Sequence, residues 1–528
     1  MSGRRREPNN GRRHAGRALL LGAMCALLFA AALPAQAAAA TGSLSAHQRS
    51  VLQGISADTW RFYSADVDPN THLPLDNLGP NSVRGTYTSA ANIGVYLWAV
   101  TAAHDLGLID TQRADSLATA TLDEVSRLKR FDGFLYQWYD TNNGKVLLNP
   151  GQGDCHEKTP SQDNCWFVSA VDNGWYASGL IEVRQALPAV ESLADKLLAP
   201  MDFSIFYDNR PQTNCNTNAS LLGNQPTGQQ YGGYYVDQGP AGYHNGALYS
   251  DPRISMYIGM GLHQMPGDVW WRTWRTLPPQ RCSTDPDFSW QGQWPTPGYW
   301  QTYTDPQSGK QFPVWEGHYV YPGTSLTFVP TFTGGMFEGL MANLVVPETT
   351  WGPQSFGLND LRWAQVQIKY ATQVLHYPVW GISPSSTADD TGNYSGFGVD
   401  GLAFPSGEGL APSGEGLAQC TTCGATETTV SPHASAIALP VLPQQAYANL
   451  QALRADYPGI YTSDGGFYDA VNPNTGSIGH RRLVLDQSMI MAAIDDALNN
   501  GALQQRFAAD PISWAAKLYL SIEHMSIH

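Results

Sequence analysis

The sequence predicts an all-α fold, an (α/α)6 toroid with long loops or small β insertions over one mouth. Six segments repeat apolar residues at intervals of three and four, as helices with one buried stripe require. Six other segments begin with small, polar and aromatic residues and then become apolar. The two kinds of segment roughly alternate along the chain, which is the pattern of a ring of inner helices surrounded by outer ones.

The amphipathic segments are expected to be the outer helices, each with one buried and one solvated face. They lie at about 46–63, 111–130, 188–205, 360–376, 443–456 and 501–521. The other segments are expected to be the inner helices, with their N-terminal clusters at one mouth of the ring. They start near residues 87, 168, 249, 333, 430 and 485. Two helix-start signals agree, since Ser431 precedes Pro432 and Asp486 can cap the last segment.

The segment 206–330 interrupts this alternation. It is rich in Gly, Pro, Trp and Tyr and contains few helical stretches. We expect an insertion of loops or small β structures over the mouth, and loops of that length are usually functional. A direct repeat, SGEGLAPSGEGLA at 406–418, is interpreted either as a flexible loop near the mouth or as a duplication without function.

The first 40 residues are expected to be an export signal. Six arginines precede an apolar stretch from about residue 18 to 33, and Ala35-Gln36-Ala37 offers a cleavage site. The apolar stretch is too short for a comfortable membrane span. The mature domain, 41–528, is therefore expected to be secreted, with no stable membrane anchor.

Composition and motifs exclude several classes of partner. The formal net charge of −15 disfavours nucleic acid and anionic membranes by repulsion. Aromatic residues make up 11% of the chain, including 16 Trp, which favours an aromatic-lined cleft. The sequence contains no P-loop, dinucleotide fingerprint, HExxH helix or GxSxG elbow, so we expect no cofactor.

Six cysteines follow the export signal, namely Cys155, Cys165, Cys215, Cys282, Cys420 and Cys423. An even number in an exported protein favours disulfides. Spacing suggests that Cys155 pairs with Cys165 and Cys420 with Cys423, although six cysteines allow 15 connectivities. We expect no metal at CTTC, 420–423, because the neighbouring sequence lacks the further ligands that a zinc site needs.

Two carboxylates stand at the start of predicted inner helices and are the candidate catalytic residues. Asp172 follows Ser169 by three positions, which fits a helix-capping box as well as a functional site. Glu338, in GGMFEGLM, begins an apolar helix, where a carboxylate is costly unless it is paired or faces a cavity. Glycoside cleavage uses such a pair. One acid protonates the leaving oxygen, and a second carboxylate activates water or attacks the sugar.

Aromatic side chains near these acids are candidate faces for sugar rings. FLYQWYDT, 134–141, combines Trp138 and Tyr139 with the acid Asp140. Trp175 and Trp380 are further candidates, although a single tryptophan belongs to a core more often than to a site.

Eight motifs follow one another along the chain: TWRFYSADVDPNTHLPLDN, TSAANIGVYLWAVTAAHDLGLI, FLYQWYDT, FVSAVDNGWYASGLI, GGMFEGLMANLVVPE, WGIS, SPHASAIALP and GGFYDAVNP. In this order they resemble the glycoamylase-like domain, which occurs in bacterial endo-β-1,2-glucanases and in cyclic β-1,2-glucan synthases. The resemblance covers about residues 50–500. It implies an (α/α)6 barrel that acts on carbohydrate.

The resemblance also implies site residues, position by position. The S-x-x-D aspartate of the family corresponds to Asp172, and its G-x-M-F-E glutamate to Glu338. The substrate-binding positions that it implies are Trp138, Tyr139, Asp140, Arg253, Asp486 and Gln487. The chain departs from the family pattern at Phe167, where many of the hydrolases have glutamate, and at Asp251, which replaces the acid of S-E-x-R.

These observations predict a secreted glycoside hydrolase that cleaves a β-linked glucan, with β-1,2-glucan as the favoured substrate. Glu338 is the expected general acid, and Asp172 either the second carboxylate or a residue that positions the sugar. A transglycosylase, a polysaccharide lyase and a non-catalytic carbohydrate-binding envelope protein are the alternatives. The net charge of −15 counts against the lyase, because a lyase binds an acidic substrate.

Overall fold

The structure is a computed structural model that describes residues 42–156, 160–161, 164–210, 227–275, 299–317, 319–321, 323–331, 334–399 and 429–527. Residues from Leu44 onward form one compact unit. The predicted export signal and the 406–418 repeat lie outside the described residues, as do Cys215, Cys282, Cys420 and Cys423.

The described chain is mostly helical. Its α-helices, in chain order, are α1 (Ala46–Asp66), α2 (Ala90–Asp105), α3 (Thr111–Arg127), α4 (Ala170–Ala186), α5 (Glu191–Leu198), α6 (Arg253–Gly261), α7 (Asp268–Arg272), α8 (Met336–Leu340), α9 (Glu348–Trp351), α10 (Phe356–Lys369), α11 (Pro432–Ala436), α12 (Pro443–Asp456), α13 (Val484–Leu498), α14 (Ala502–Ala509) and α15 (Trp514–Ile522). Among these helices, none combines the length and apolar character needed to cross a bilayer.

Six helices begin in the segments predicted to be inner, and they contact one another in a closed order. These six, called the inner helices below, are α2, α4, α6, α8, α11 and α13. Helix α2 contacts α4, α4 contacts α6, α8 contacts α11, α11 contacts α13, and α13 returns to α2. Arg253 in α6 donates hydrogen bonds to the backbone of α8 and so closes the remaining step.

Helix α2 is buried along nearly its whole length, as the sequence predicts for an inner helix. Every residue of α2 from Ala90 to Ala103 is buried. Glycine lets α2 and α4 cross at close range, because a Cβ on Gly94 would lie 2.3 Å from the Trp175 carbonyl oxygen. A Cβ on Gly179 would lie 2.4 Å from the Gly94 carbonyl oxygen. The two backbones therefore touch where only glycine fits.

The predicted outer segments form α1, α3, α5, α10, α12 and the pair α14 and α15. Proline explains two boundaries that differ from the prediction. Helix α5 stops at Leu198, just before Pro200. The segment 501–521 is split because Pro511, which has no amide hydrogen, follows the end of α14.

Short antiparallel strands connect the helices, so the described chain is not purely α. They are β1 (Asn77–Leu78), β2 (Arg84–Gly85), β3 (Tyr87–Thr88), β4 (Arg130–Phe131), β5 (Phe134–Leu135), β6 (Tyr139–Asp140), β7 (Phe167–Ser169), β8 (Gly233–Tyr235), β9 (Gly239–Pro240), β10 (Tyr299–Thr304), β11 (Gln311–Glu316), β12 (Tyr319–Val320), β13 (Thr327–Phe328), β14 (Ser385–Ser386), β15 (Tyr394–Ser395), β16 (Tyr461–Thr462), β17 (Gly466–Phe467), β18 (Ala470–Val471), β19 (Ile478–Gly479) and β20 (Arg482–Leu483).

Two of the sheets position the ends of inner helices. The sheet β7–β8–β9 joins the residues before α4 to the segment 206–330, with Phe167 opposite Tyr235. The sheet β2–β1–β20 pairs Asn77 with Leu483, immediately before α13. The described parts of 206–330 also contain α6, α7 and the hairpin of β10 and β11.

Cys155 and Cys165 are bonded to each other, with a Cα–Cα distance of 5.7 Å. This is one of the two pairings that the sequence spacing suggests. It closes the loop that precedes β7 and α4, and so ties the chain beside the segment that carries Asp172.

Candidate active site

A cavity of about 280 Å³ opens beside the N-terminal ends of α6 and α8. Glu338 and Asp251 both line it, together with Tyr243, His244 and Ser250. The two carboxylates come from different inner helices or from the residues just before them. The cavity therefore brings together Asp251 and Glu338, which are far apart in the sequence.

Asp251 is an acid whose pKa is perturbed by its surroundings, as is common for carboxyl groups at functional sites. Burial raises the pKa of Asp251 to about 6, the Ser250 hydroxyl lowers it, and the negative charge of Asp172 raises it further. The Ser250 hydroxyl donates to Asp251 Oδ1 at 3.2 Å. Asp251 is a functional candidate that the sequence marked only as a departure from a motif.

Asp172 both supports its helix and faces the FLYQWYDT segment. The Asp172 amide donates to the Ser169 hydroxyl at 3.3 Å, which caps α4. The Asp172 carboxylate accepts from Gln137 Nε2 at 3.2 Å. Burial raises the pKa of Asp172, while the Ser169 and Gln137 hydrogen bonds lower it. The charge of Asp172 also raises the pKa of Tyr243, which lines the cavity.

Glu338 lies in the first turn of α8 and is 6% exposed. Its backbone is held in place by Arg253, whose Nη1 donates to the Glu338 carbonyl oxygen at 3.1 Å. The preceding amide, of Phe337, donates to the Ser383 hydroxyl at 3.1 Å. Glu338 therefore enters the cavity from a turn that is fixed on both sides.

Arg253 is expected from the sequence to bind substrate, but its side chain is completely buried. Its Nε and Nη2 bind Glu348 at 2.7 and 2.8 Å, and its remaining hydrogen bonds go to backbone oxygens. The guanidinium thus contacts protein on every side that carries a donor. As placed, Arg253 holds the backbone of Glu338 and Gly339, and its contact with substrate stays a prediction.

The FLYQWYDT segment also differs from the expected sugar platform. Tyr139 is completely buried, and its hydroxyl donates to the Lys129 carbonyl at 2.7 Å and accepts from the Tyr136 amide at 2.8 Å. The Asp140 carboxylate accepts from the Asn142 amide at 2.7 Å and so caps its own turn. Trp138 is half-buried and meets Tyr87 edge-on, with ring centroids 5.5 Å apart. Of these three side chains, Trp138 is the one that keeps an aromatic surface for a ligand.

Trp175 and Trp380 are buried in the structure. Trp175 is 2% exposed and packs edge-on against Trp98, with ring centroids 5.4 Å apart. Trp380 is 5% exposed, and Asn449 binds both its amide and its carbonyl, at 3.1 and 2.7 Å. As placed, both side chains are buried, and their stacking on sugars stays a prediction.

Asp486 lies in the first turn of α13 within a second group of titratable side chains. His433 Nδ1 is 3.3 Å from Asp486 Oδ2, and Asp469 lies beside both. Burial raises the pKa of Asp486 to about 6, and the charge of Asp76 raises it further. Burial lowers the pKa of His433 to about 4, so the imidazole is neutral near pH 7.

The other predicted residue of α13, Gln487, is 1% exposed, and its Nε2 donates to the Phe467 carbonyl at 3.1 Å. As placed, Asp486 and Gln487 contact protein and not solvent. His433, Asp469 and Asp76 were not predicted as site residues. His433 and Asp469 stand within the quoted motifs SPHASAIALP and GGFYDAVNP, which is the signal that could have found them.

The comparisons with known proteins agree with the resemblance found in the sequence. Residues 317–511 match the profile of the family described as "Putative glucoamylase". Residues 55–234 match a family described as "Protein of unknown function (DUF3131)". The chain is also 31% identical over 135 residues to the cyclic β-(1,2)-glucan synthase NdvB of Rhizobium meliloti. That alignment spans 25% of this chain and only 4% of the synthase.

Several solved structures have the same fold. A putative glucoamylase from Bacteroides fragilis superposes with a TM-score of 0.60 at 16% identity, over 92% of this chain and 99% of that one. The endo-β-1,2-glucanase of Chitinophaga pinensis, in complex with sophorotriose and glucose, has a TM-score of 0.60 at 16% identity, over 90% and 98%. The endo-β-1,2-glucanase of Talaromyces funiculosus, in complex with sophorose, has a TM-score of 0.58 at 12% identity, over 92% and 91%. At such identities the likeness concerns the fold.

Proposed function

We propose that this protein is a secreted glycoside hydrolase that cleaves a β-linked glucan. The proposal starts from the match of residues 317–511 to the family described as putative glucoamylase. β-1,2-Glucan is the substrate we propose first, because two of the structural relatives are named endo-β-1,2-glucanases. We also propose that the six inner helices and their outer partners form an (α/α)6 toroid. The closed order of contacts among the inner helices supports that architecture.

The observation that carries the proposal is the cavity with two carboxylates in its wall. Glu338 and Asp251 line it from the starts of two inner helices, and Asp172 lies close enough to raise the pKa of Asp251. A pair of carboxyl groups, one protonated and one ionised, is what glycoside hydrolysis requires. Tyr243, half-exposed in the same wall, offers an aromatic face to a sugar ring.

In this proposal Glu338 donates a proton to the glycosidic oxygen as the bond to the anomeric carbon breaks. The second carboxylate removes a proton from the attacking water or attacks the anomeric carbon itself. We assign that second role to the pair of Asp172 and Asp251, of which Asp251 lines the cavity. Arg253 keeps the Glu338 backbone in place through its hydrogen bonds to α8.

The test is incubation of the protein with a panel of defined glucans, including β-1,2-glucan, with products identified by mass and by anomeric NMR. We expect shorter β-1,2-linked products, and a loss of about 10²–10⁴ in kcat for E338Q, the range typical of general-acid catalysis. E124Q, which changes a partly exposed residue of α3 paired with Arg127, is the matched control and is expected to keep full activity.

Three results would count against this proposal. Turnover of E338Q equal to that of the unchanged protein on every glucan would remove Glu338 as the acid. An ultraviolet-absorbing unsaturated product would identify a lyase, and products longer than the substrate would identify a transglycosylase. Secretion is tested separately, by N-terminal sequencing of protein recovered from the culture medium, with cleavage expected after Ala37.

A further inference from the structure

His433, Asp469 and Asp486 form a compact buried group outside the cavity described above. His433 is in α11, Asp469 lies between β17 and β18, and Asp486 is in α13. One ligand atom from each lies within 4.8 Å of the others. The three side chains are 1%, 2% and 1% exposed, respectively. Three separate segments thus bring a nitrogen donor and two carboxylates to one enclosed point.

The polar atoms of this group are largely without hydrogen bonds. His433 Nδ1 lies 3.3 Å from Asp486 Oδ2, but among the described residues His433 Nε2, Asp486 Oδ1 and Asp469 Oδ1 have no hydrogen-bond partner. Asp469 Oδ2 accepts from the Ser386 amide at 2.6 Å. Buried polar atoms are almost always paired, and each one left unpaired destabilises the folded protein. Three such atoms at one point, beside a close pair of carboxyl groups, therefore indicate a ligand that satisfies them together.

The chemistry of the donors selects a cation. Two carboxylates face each other here, and Asp76 adds a third negative charge that acts on Asp486. A positive ion would offset this repulsion. One imidazole with two carboxylates suits Zn²⁺ or Mn²⁺, whereas Ca²⁺ and Mg²⁺ favour sites made of oxygen alone.

We propose that His433, Asp469 and Asp486 bind one divalent transition-metal cation, Zn²⁺ or Mn²⁺. The cation would join the starts of α11 and α13 to the loop that carries Asp469. The His433 ring also lies 6.3 Å from that of Phe337, the residue before Glu338. The site therefore stabilises the inner helices next to the cavity. It does not depend on the proposed glycoside hydrolysis.

The experiment is calorimetric titration of chelator-treated, full-length protein with ZnCl2 and, separately, with MnCl2. Mn²⁺ is included because the thiolates of free cysteines bind Zn²⁺ in preference to Mn²⁺. We expect one equivalent per chain for at least one of the two ions. The same ion should raise the Tm by a few degrees, since a ligand that binds only the folded state stabilises it.

D486N and H433Q are the test variants, and both keep the approximate size of the side chain. Each is expected to weaken binding at least tenfold and to lose the metal-dependent rise in Tm. H480Q is the matched control, because His480 also faces an aspartate, Asp390, but is 41% exposed. We expect H480Q to bind like the unchanged protein.

Three outcomes would overturn the proposal. The first is that neither ion binds the unchanged protein with a stoichiometry near one. The second is that D486N and H433Q, shown to be folded by circular dichroism, bind as tightly as H480Q. The third is binding of Ca²⁺ or Mg²⁺ in place of the transition metals. In the first case, a rise in the Tm of D486N at pH 8 would indicate that Asp469 and Asp486 share a proton in place of a metal ion.

Discussion

Arg253 and Glu348 form a two-pronged ion pair in which both side chains are completely buried. The Arg253 Nε and Nη2 atoms lie 2.7 and 2.8 Å from the two Glu348 oxygens, and the Tyr257 hydroxyl donates to Glu348 Oε1 at 2.6 Å. This pair joins α6 to α9. Because Arg253 also binds the backbone of α8, it connects the interior of the fold to the turn that carries Glu338.

Removing the charge of Glu348 is expected to destabilise the protein. E348Q leaves Arg253 charged and buried, and breaking a buried ion pair costs about 3–5 kcal/mol. We expect that decrease in the free energy of unfolding, measured by denaturant titration. E124Q breaks the exposed pair of Glu124 and Arg127 and should cost less than about 1 kcal/mol. Equal stability of E348Q and E124Q would contradict this account.

Asn173 attaches the FLYQWYDT segment to the start of α4. Its Oδ1 accepts from the Leu135 amide and its Nδ2 donates to the Leu135 carbonyl, both at 2.9 Å. N173A would leave both backbone groups buried and unpaired, so we expect a loss of about 2–4 kcal/mol in the free energy of unfolding. N70A, at an exposed position, is the control. A loss no larger than that of N70A would show that this attachment is unimportant.

The charge of Asp172 is expected to set the pH dependence of the proposed reaction. The pKa of Asp251 is raised to about 6, in part by the negative charge of Asp172. D172N removes that charge, so the pKa of Asp251 should fall and the corresponding limb of the kcat/KM profile should move to lower pH. D123N, on the exposed face of α3, should leave the profile in place. A profile of D172N that keeps its limb near pH 6 would disprove the coupling.

Asp495 should make the protein less stable as the pH rises. It is buried at the far end of α13 from Asp486, near Asp105 and Asp496, and burial raises its pKa to about 9. Because the folded pKa exceeds the unfolded value, the stabilising contribution is complete below about pH 4 and is lost as the pH rises toward 9. D495N imitates the protonated form and can still accept from Asn499 Nδ2.

We therefore expect D495N to raise the free energy of unfolding at pH 8 by at least about 1.4 kcal/mol, the equivalent of one pKa unit. Near pH 4 the substitution should have little effect. Thermal unfolding across this pH range gives the measurement. D123N, whose side chain is exposed, should show no comparable dependence, and a D495N effect that is the same at pH 4 and pH 8 would refute the prediction.

The helical framework could be predicted because its signals are local. The inner helices follow from segments such as AANIGVYLWAVTAA, whose apolar residues leave no solvated face. Outer boundaries were less exact where proline intervenes, as at Pro200 and Pro511. The short strands were expected only over the mouth. Most of them are only two residues long and form where distant segments meet. Such strands are too short to show an alternating hydrophobic pattern in the sequence.

The candidate site was less predictable, because aromatic and charged residues in a motif do not reveal which way they face. The sequence offers Arg253, Tyr139 and Trp175 as candidate binding residues beside the candidate acids Glu338 and Asp172. The structure shows contacts for these residues that the sequence does not reveal. Arg253 and Tyr139 form hydrogen bonds within the protein, and Trp175 packs against Trp98. Asp251 becomes a candidate only in the structure, because folding brings it into the same cavity as Glu338.

The sequence by itself determined that six apolar helices start with polar clusters, because hydrophobic periodicity and caps are written within single segments. It also determined that carboxylates stand at several of those starts. The tertiary structure alone decided which of these acids share a space. Glu338 meets Asp251 in one cavity, and Asp486 meets His433 and Asp469 in another group, because each contact joins segments that only the closure of the inner helices brings together.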